Sequence, residues 1–588
     1  MSRALDHNPG QKQAYESRNH CVVLAGPGSG KTKTLTLKMA RMLAEDVKEP
    51  RGIACITYNN ECARELRRRL QALGVDVSSR VFIGTVHSFS LRRIILPYAR
   101  YSPFQLPDPI RVAGREEKRG AVERAYSKTY GDGGDPHRQW FFAEKHRRSV
   151  LNRKSASWKA GNPQRAKFIE EYERDLHERG FIDFDDMPLI GLRLLESLPW
   201  LPPAIEAKYP ILLVDEYQDL GFALDAMVKL LCFSHNVRLL AVGDADQSIY
   251  RFLGAEPELL TQLANRADVE KVQLDFNYRC GSKIITASHA ALGEERKYRG
   301  LDGASEGEVF FHSRHEDHSI QAEWVLENLI PAIVSRQSIP LNQVAVLYRD
   351  ARLGQHIANA ADARDIGYIR ADRDALYPQG SRLIRWIEDC ALWTCGGWRE
   401  GNPSFQHLLA EGCGLLFEQP PDHSERRIFE QKLIGFMSTG HPTKDNHDLN
   451  FGDWLTGFHR EILSDYIAHV PSISDELELL EQLQERVGVT GSHEKTTLGG
   501  FCGADAQDDR LVLSTLHSAK GREFSTVVLF GIDNGILPWR NETGDALAEA
   551  RRLFYVGLTR AEREVHLVCS ADSVSPFAKE VYRRLKTK

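Results

Sequence analysis

The chain of 588 residues has no apolar run of membrane-spanning length and no secretory-leader pattern, so the expected location is cytoplasmic, with no membrane partner. It also lacks an excess of positive charge: 76 Lys and Arg stand against 81 Asp and Glu, a formal net charge of −5. Bulk charge therefore does not announce a nucleic-acid partner, and any groove for one must be local. The basic clusters at 64–69, 92–93 and 145–148 read, taken alone, as solvated helix faces. The 10 cysteines are scattered, and Cys390 and Cys395 have no matching pair nearby, so reduced buried thiols are expected in preference to a metal site. There is no short-period repeat and no low-complexity tract. What remains, at 42% hydrophobic and 27% charged residues, is a globular chain long enough for several domains.

The strongest local signal is Ala25-Gly26-Pro27-Gly28-Ser29-Gly30-Lys31-Thr32. It follows Val22, Val23 and Leu24, which read as a buried parallel strand, and precedes a run at 33–43 with apolar residues at helical spacing. A glycine-rich loop between strand and helix is a phosphate cradle: the glycines let backbone N–H groups close on the phosphates, and the helix N-terminus adds its positive dipole end. Lys31 is expected on the β- and γ-phosphates and Thr32 on Mg²⁺. The loop opens with Ala25 where the general template has glycine.

A second half-site is expected at the end of a later strand. Ile211-Leu212-Leu213-Val214 is such a strand, and Asp215-Glu216 stands at its carboxyl end, where open α/β sheets bind ligands. Asp215 is the expected metal ligand, and Glu216 the base that orients and deprotonates an attacking water.

Alternating strand and helix patterns run through the first third: strand 52–57, helix from Asn60, strand 81–84 and helix from His87. Polar, helix-rich sequence follows and reads as an insertion, after which strands at 211–214, 237–242 and 269–274 resume the sheet. A second alternating set begins near 300–307, with strands 308–312 and 344–348 and helices 321–335 and 353–363. It is interrupted by helical, irregular sequence and resumes with strands 511–514, 527–530 and 565–568 and helix 546–559.

At this density of motifs the chain resembles superfamily 1 DNA helicases of the UvrD/Rep/PcrA type. The similarity is carried by Asn8-Pro9-Gly10-Gln11, the segments 57–63, 84–89, 182–186, 242–250, 277–279 and 514–524, and Leu553 to Ala561. The resemblance implies an α/β fold of two RecA-like P-loop parallel-sheet domains, each interrupted by a mostly helical insertion. The expected divisions are 1–101 and 201–299 for the first sheet domain with insertion 102–200, and 300–376 and 510–588 for the second with insertion 377–509. It implies ATP and Mg²⁺ as cofactors. Gln11 is expected on the adenine edge, Tyr278 stacked on the adenine, Glu523 on the ribose and Gln247 on the γ-phosphate, with Arg279 and Arg560 as arginine fingers.

For DNA, the resemblance implies single strands and single-to-double-strand junctions as partners, with Tyr58, Asn60, His87, Tyr250, Phe252 and His517 along the path. Relatives often carry tryptophan-arginine where this chain has Phe252-Leu253, and lysine where it has Glu61. After Arg560 only one strand and a short tail are read, without the long extension of larger relatives. That layout resembles the compact helicases of Gabija-like antiphage systems and raises the expectation of a partner nuclease. Two readings follow: a 3′→5′ helicase or translocase in repair, replication or antiphage defence, or a DNA-dependent ATPase subunit that gates a nuclease with little unwinding of its own.

Overall fold

The computed structural model describes residues 5, 7–57, 59–75, 80–251, 254–301, 303, 305–372, 374–378, 381–399, 401, 403–417, 420–438, 446–467, 470, 473–491, 493–504 and 509–587. By contact the chain divides into two units. Met1–Val86, Trp200–Ala375 and Asp509–Lys588 form the first; His87–Pro199 and Leu376–Asp508 form the second.

The first unit holds two six-stranded sheets. The first sheet contains β1 (Cys21–Ala25), β2 (Ile53–Thr57), β3 (Val81–Thr85), β4 (Ile211–Val214), β5 (Arg238–Gly243) and β6 (Glu270–Leu274), in the order β3-β2-β4-β5-β1-β6. Every pairing is parallel. Helices cover both faces of such a sheet, so its inner strands read as continuous apolar runs; β2 and β4 are buried at every position, whereas the edge strand β6 alternates. The register lines up the strand ends: Leu24 lies opposite Gly243 and Ile56 opposite Val214, and the Asp215 N–H donates to the Ile56 carbonyl at 2.8 Å. The loops that follow β1, β4 and β5 therefore leave the sheet side by side.

The second sheet contains β7 (Glu308–Arg314), β8 (Val344–Tyr348), β9 (Tyr368–Ala371), β10 (Leu511–Thr515), β11 (Phe524–Phe530) and β12 (Ala561–Ser570), in the order β7-β12-β11-β8-β10-β9, again all parallel. The α/β class with two parallel sheets is the one expected from sequence. Two elements of this half were not anticipated. β9 is a short edge strand with only Ala371 fully buried, so it lacks the apolar run that marks its neighbours. The segment expected to be a short tail contains the helix Pro576–Lys586, which buries Phe577, Ala578 and Val581 against the sheet core.

The second unit is mainly helical. One group, Arg115–Tyr130, Pro136–Ser149 and Pro163–Glu178, packs around Trp158, Phe168 and Tyr172. Another packs Arg382–Thr394, Phe405–Leu416, His423–Ser438 and Phe451–Phe458 around Trp386, Phe429 and Phe458. Among the described residues no helix is long and apolar enough to cross a membrane.

Candidate nucleotide-hydrolysis site

The loop after β1 is shaped by its glycines. Gly28 and Gly30 have φ of +65° and +79°, which disfavour any side chain. A Cβ at Gly28 would lie 2.5 Å from Asn277 Oδ1, and one at Gly30 would lie 2.4 Å from Gln11 Nε2. The loop is braced from within by Ser29 Oγ, which donates to the Gly26 carbonyl at 2.7 Å. From outside, Gln11 Nε2 donates to the Ser29 carbonyl at 2.9 Å, and the Tyr278 N–H donates to the Gly28 carbonyl at 2.7 Å. The helix Lys31–Arg41 starts directly from this loop, so its free N–H groups and positive dipole end face the same space.

That space is a cleft of about 330 Å³ within the first unit, lined from both sheets. On the first-sheet side, Asp215 and Glu216 follow β4. Glu216 has φ 51° and ψ 45°, a left-handed conformation that costs a non-glycine residue energy. The turn brings its carboxylate within 3.6 Å of Lys31 Nζ. Gln218 Nε2 donates to Glu216, and Gln218 Oε1 accepts from the Asp244 N–H at 2.9 Å. Gln247 Nε2 in turn donates to Asp244 Oδ2. A hydrogen-bonded chain thus runs from the Glu216 carboxylate to Gln247.

The carboxylates are crowded. Burial, then the Glu216 charge, pushes Asp215 up to about 7. Glu216 is held down at about 2, because Lys31 and Lys520 outweigh the burial that opposes its ionisation. Burial also raises Asp219 and Asp244 to about 6 each. A buried carboxylate surplus beside a threonine hydroxyl suits a hard divalent cation, and Thr32 and Asp215 both line this part of the cleft.

The second-sheet side is rich in cations. Arg560 is buried, with Nε on the Val556 carbonyl at 3.1 Å and Nη2 on Gln247 Oε1 at 3.3 Å. Burial and the neighbouring Arg279 lower its pKa to about 10. Arg279 reaches across from the first sheet domain: it pairs with Glu523 and donates to the Thr559 carbonyl at 3.1 Å, while its Nε is buried without a hydrogen-bond partner. Two guanidiniums facing one cleft, one with an unsatisfied N–H, suit a polyanion such as a phosphate chain.

A family model of the UvrD/REP helicase N-terminal domain matches residues 7–268, and one of the UvrD-like helicase C-terminal domain matches residues 472–571. The chain belongs to the UvrD/Rep helicase family. It is an enzyme of the ATP-hydrolysing DNA helicase class. Among its relatives are the ATP-dependent DNA helicase Rep of Escherichia coli (strain K12), 27% identical across 95% of this chain and 90% of that protein, and the ATP-dependent DNA helicase PcrA of Staphylococcus aureus (strain Mu50), 24% identical across 96% and 84%.

In this UvrD-like helicase, Pro27, Gly28, Lys31, Thr32, Asp215, Glu216, Gln247, Tyr250, Arg279, Glu523 and Arg560 all line the cleft. Ala25 ends β1, and Gly26, Ser29 and Gly30 complete the loop behind Lys31. Gln11 is buried beneath the loop, and Tyr278 is exposed at its rim, its hydroxyl accepting from Asn8 Nδ2 at 2.9 Å. Of the residues expected on DNA, Tyr250 and His517 come together: their rings are 6.2 Å apart, and the Tyr250 hydroxyl donates to the His517 carbonyl at 3.1 Å. Asn60 begins the helix Asn60–Ala72, whose neighbour Asn59 lines the cleft. His87 lies in the second unit with one ring face stacked on Phe184 at 4.1 Å, and burial lowers its pKa to about 4. Tyr58 and Phe252 lie outside the described residues. Sequence reasoning gave no role to Gln218 or Asp219, which directly follow Asp215-Glu216, or to Lys520, which lies inside the segment 514–524. Asp219 and Lys520 form an ion pair that joins the two sheet domains.

Proposed function

We propose that this helicase hydrolyses ATP in the cleft between its two sheet domains and uses each cycle to move 3′→5′ on single-stranded DNA and part the strands ahead. Lys31 and the loop amides hold the β- and γ-phosphates. Bound Mg²⁺, held by Thr32 and Asp215, supplies charge neutralisation at the phosphate oxygens. Glu216 orients the attacking water and takes its proton. Arg279 and Arg560 stabilise charge on the transferring group, and Gln247 relays its presence toward Tyr250 and the DNA. Gln11, Tyr278 and Glu523 hold the base and ribose; Asn60, His87, Tyr250 and His517 contact the strand. The observation that carries the reading is the meeting of Lys31, Glu216, Arg279 and Arg560 in one cleft, although Lys31 and Arg560 stand at opposite ends of the sequence. The test is ATPase activity with and without single-stranded DNA in wild type and Glu216→Gln. Turnover stimulated by DNA and lost in Glu216→Gln, with ATP binding kept, supports the reading. Undiminished turnover in Glu216→Gln overturns the role of Glu216.

A further inference from the structure

The helix Pro136–Ser149 in the second unit carries two large apolar residues on the wrong side for a core helix. Its inner face is closed by Trp140, Ala143 and Arg147. The Trp140 ring lies 4.1 Å from Tyr172, Ala143 is fully buried, and Arg147 pairs with Asp183 at 2.7 Å and with Asp186. That network fixes the helix in place. Its outer face carries Phe141 and Phe142, 71% and 48% exposed, with their rings edge to face at 5.6 Å and 81°. Arg138 precedes them and Lys145 follows, both exposed on the same side. Among the described residues neither cation has an ion-pair partner, whereas Arg148, one turn on, is paired with Asp185 at 2.9 Å.

We infer that this face is a docking surface for single-stranded DNA, separate from the cleft motifs. The occupant follows from the chemistry. Two unpaired cations, about 10 Å apart along the helix axis, bracket two exposed rings on a chain whose formal net charge is −5; this is a local site for a polyanion with flat apolar groups. Unpaired bases offer π-faces to the rings and phosphates to Arg138 and Lys145, while bases in a duplex keep those faces stacked on each other. The rings carry no hydrogen-bonding groups, so the surface holds strand without reading sequence. The inference rests on the reading of the chain as a DNA motor and adds a contact on its first insertion.

The test is binding of a fluorescent oligothymidylate to the full chain, by anisotropy across a salt series. Phe141→Ala/Phe142→Ala should weaken binding roughly tenfold or more at fixed salt, and Phe141→Tyr/Phe142→Tyr should restore it. Arg138→Ala/Lys145→Ala should lower the slope of log affinity against log salt by about 1.4, the value for two lost phosphate contacts on single strands. Thermal melting matched to wild type shows that each variant is folded. Wild-type affinity in both the phenylalanine and the cation variants, beside normal wild-type binding, overturns this inference alone. A phenylalanine variant that changes self-association in sedimentation but not DNA affinity overturns it in favour of a protein interface. A wild-type chain that binds no oligonucleotide overturns both this inference and the motor reading.

Discussion

Lys520, from the second sheet domain, is ion-paired with Asp219 from the first, and its ammonium also donates to the Gln247 carbonyl at 2.5 Å. One side chain thus ties the turn after β4, the turn after β5 and the opposite sheet domain together at the floor of the cleft. It links the buried carboxylates after β4 directly to the second sheet.

That link can be broken in two distinguishable ways. Lys520→Met leaves the Asp219 carboxylate buried without its cation, and loss of one partner of such a pair costs about 3–5 kcal/mol. The double variant Lys520→Met/Asp219→Asn removes both charges and should recover most of that stability. Denaturant unfolding of the two singles and the double gives the coupling directly. Stability that falls as far in the double variant as in Lys520→Met would show that the pair is not the link.

Arg560 and Arg279 should separate by kinetics. Among the described residues Arg560 hydrogen-bonds carbonyl and hydroxyl oxygens and the Gln247 side chain but no carboxylate, so a transferring phosphoryl group would be its directly bonded anionic partner. Arg560→Ala should lower kcat by about 10³-fold or more, with the KM for ATP within a few-fold of wild type. Arg560→Lys should recover little, because an ammonium lacks the planar fork. Arg279 is already engaged by Glu523 and the Thr559 carbonyl, so Arg279→Ala should raise KM as well as lower kcat. A rise in KM with kcat intact for Arg560→Ala would make Arg560 a binding residue only.

The ligand-free protein should show the strain of its carboxylates as a pH dependence. Asp215 has its folded pKa raised from 3.8 to about 7 by burial and by Glu216. A raised carboxylate pKa means that the folded state holds the proton more tightly than the unfolded one. The associated stability is full below pH 3.8 and is lost as pH rises to 7. Asp215→Asn should therefore melt higher than wild type at pH 8, and the difference should shrink progressively toward pH 4. Differential scanning fluorimetry without nucleotide or metal checks this, and a difference that is constant with pH would contradict it.

Much of the site was legible because its parts are local in sequence. The loop Ala25–Thr32 and the strand ending at Asp215-Glu216 each carry their chemistry within about ten residues, and the sheet then brings their ends together. What the sequence did not reveal is held by long-range contacts. Lys520 and Asp219 are 301 residues apart, and nothing near either one names the other. The stacking of His87 on Phe184, and the exposure of Phe141 and Phe142, depend on which face of each helix the insertion covers. The cluster 145–148, read as a solvated face, contains Arg147 buried in an acidic network, because Asp183 and Asp186 approach from another element. The strand Tyr368–Ala371 escaped notice because an edge strand needs little apolar sequence.

Hydrolysis in the cleft is proposed to drive strand separation by this chain itself. This is tested most directly by strand displacement on duplexes with a single-stranded tail of either polarity, with Mg²⁺ and ATP, using wild type and Glu216→Gln. Wild type should displace strand from the 3′-tailed duplex and little from the 5′-tailed one, and Glu216→Gln should displace none from either. Displacement by Glu216→Gln equal to wild type, or by wild type from the 5′-tailed duplex alone, would contradict it.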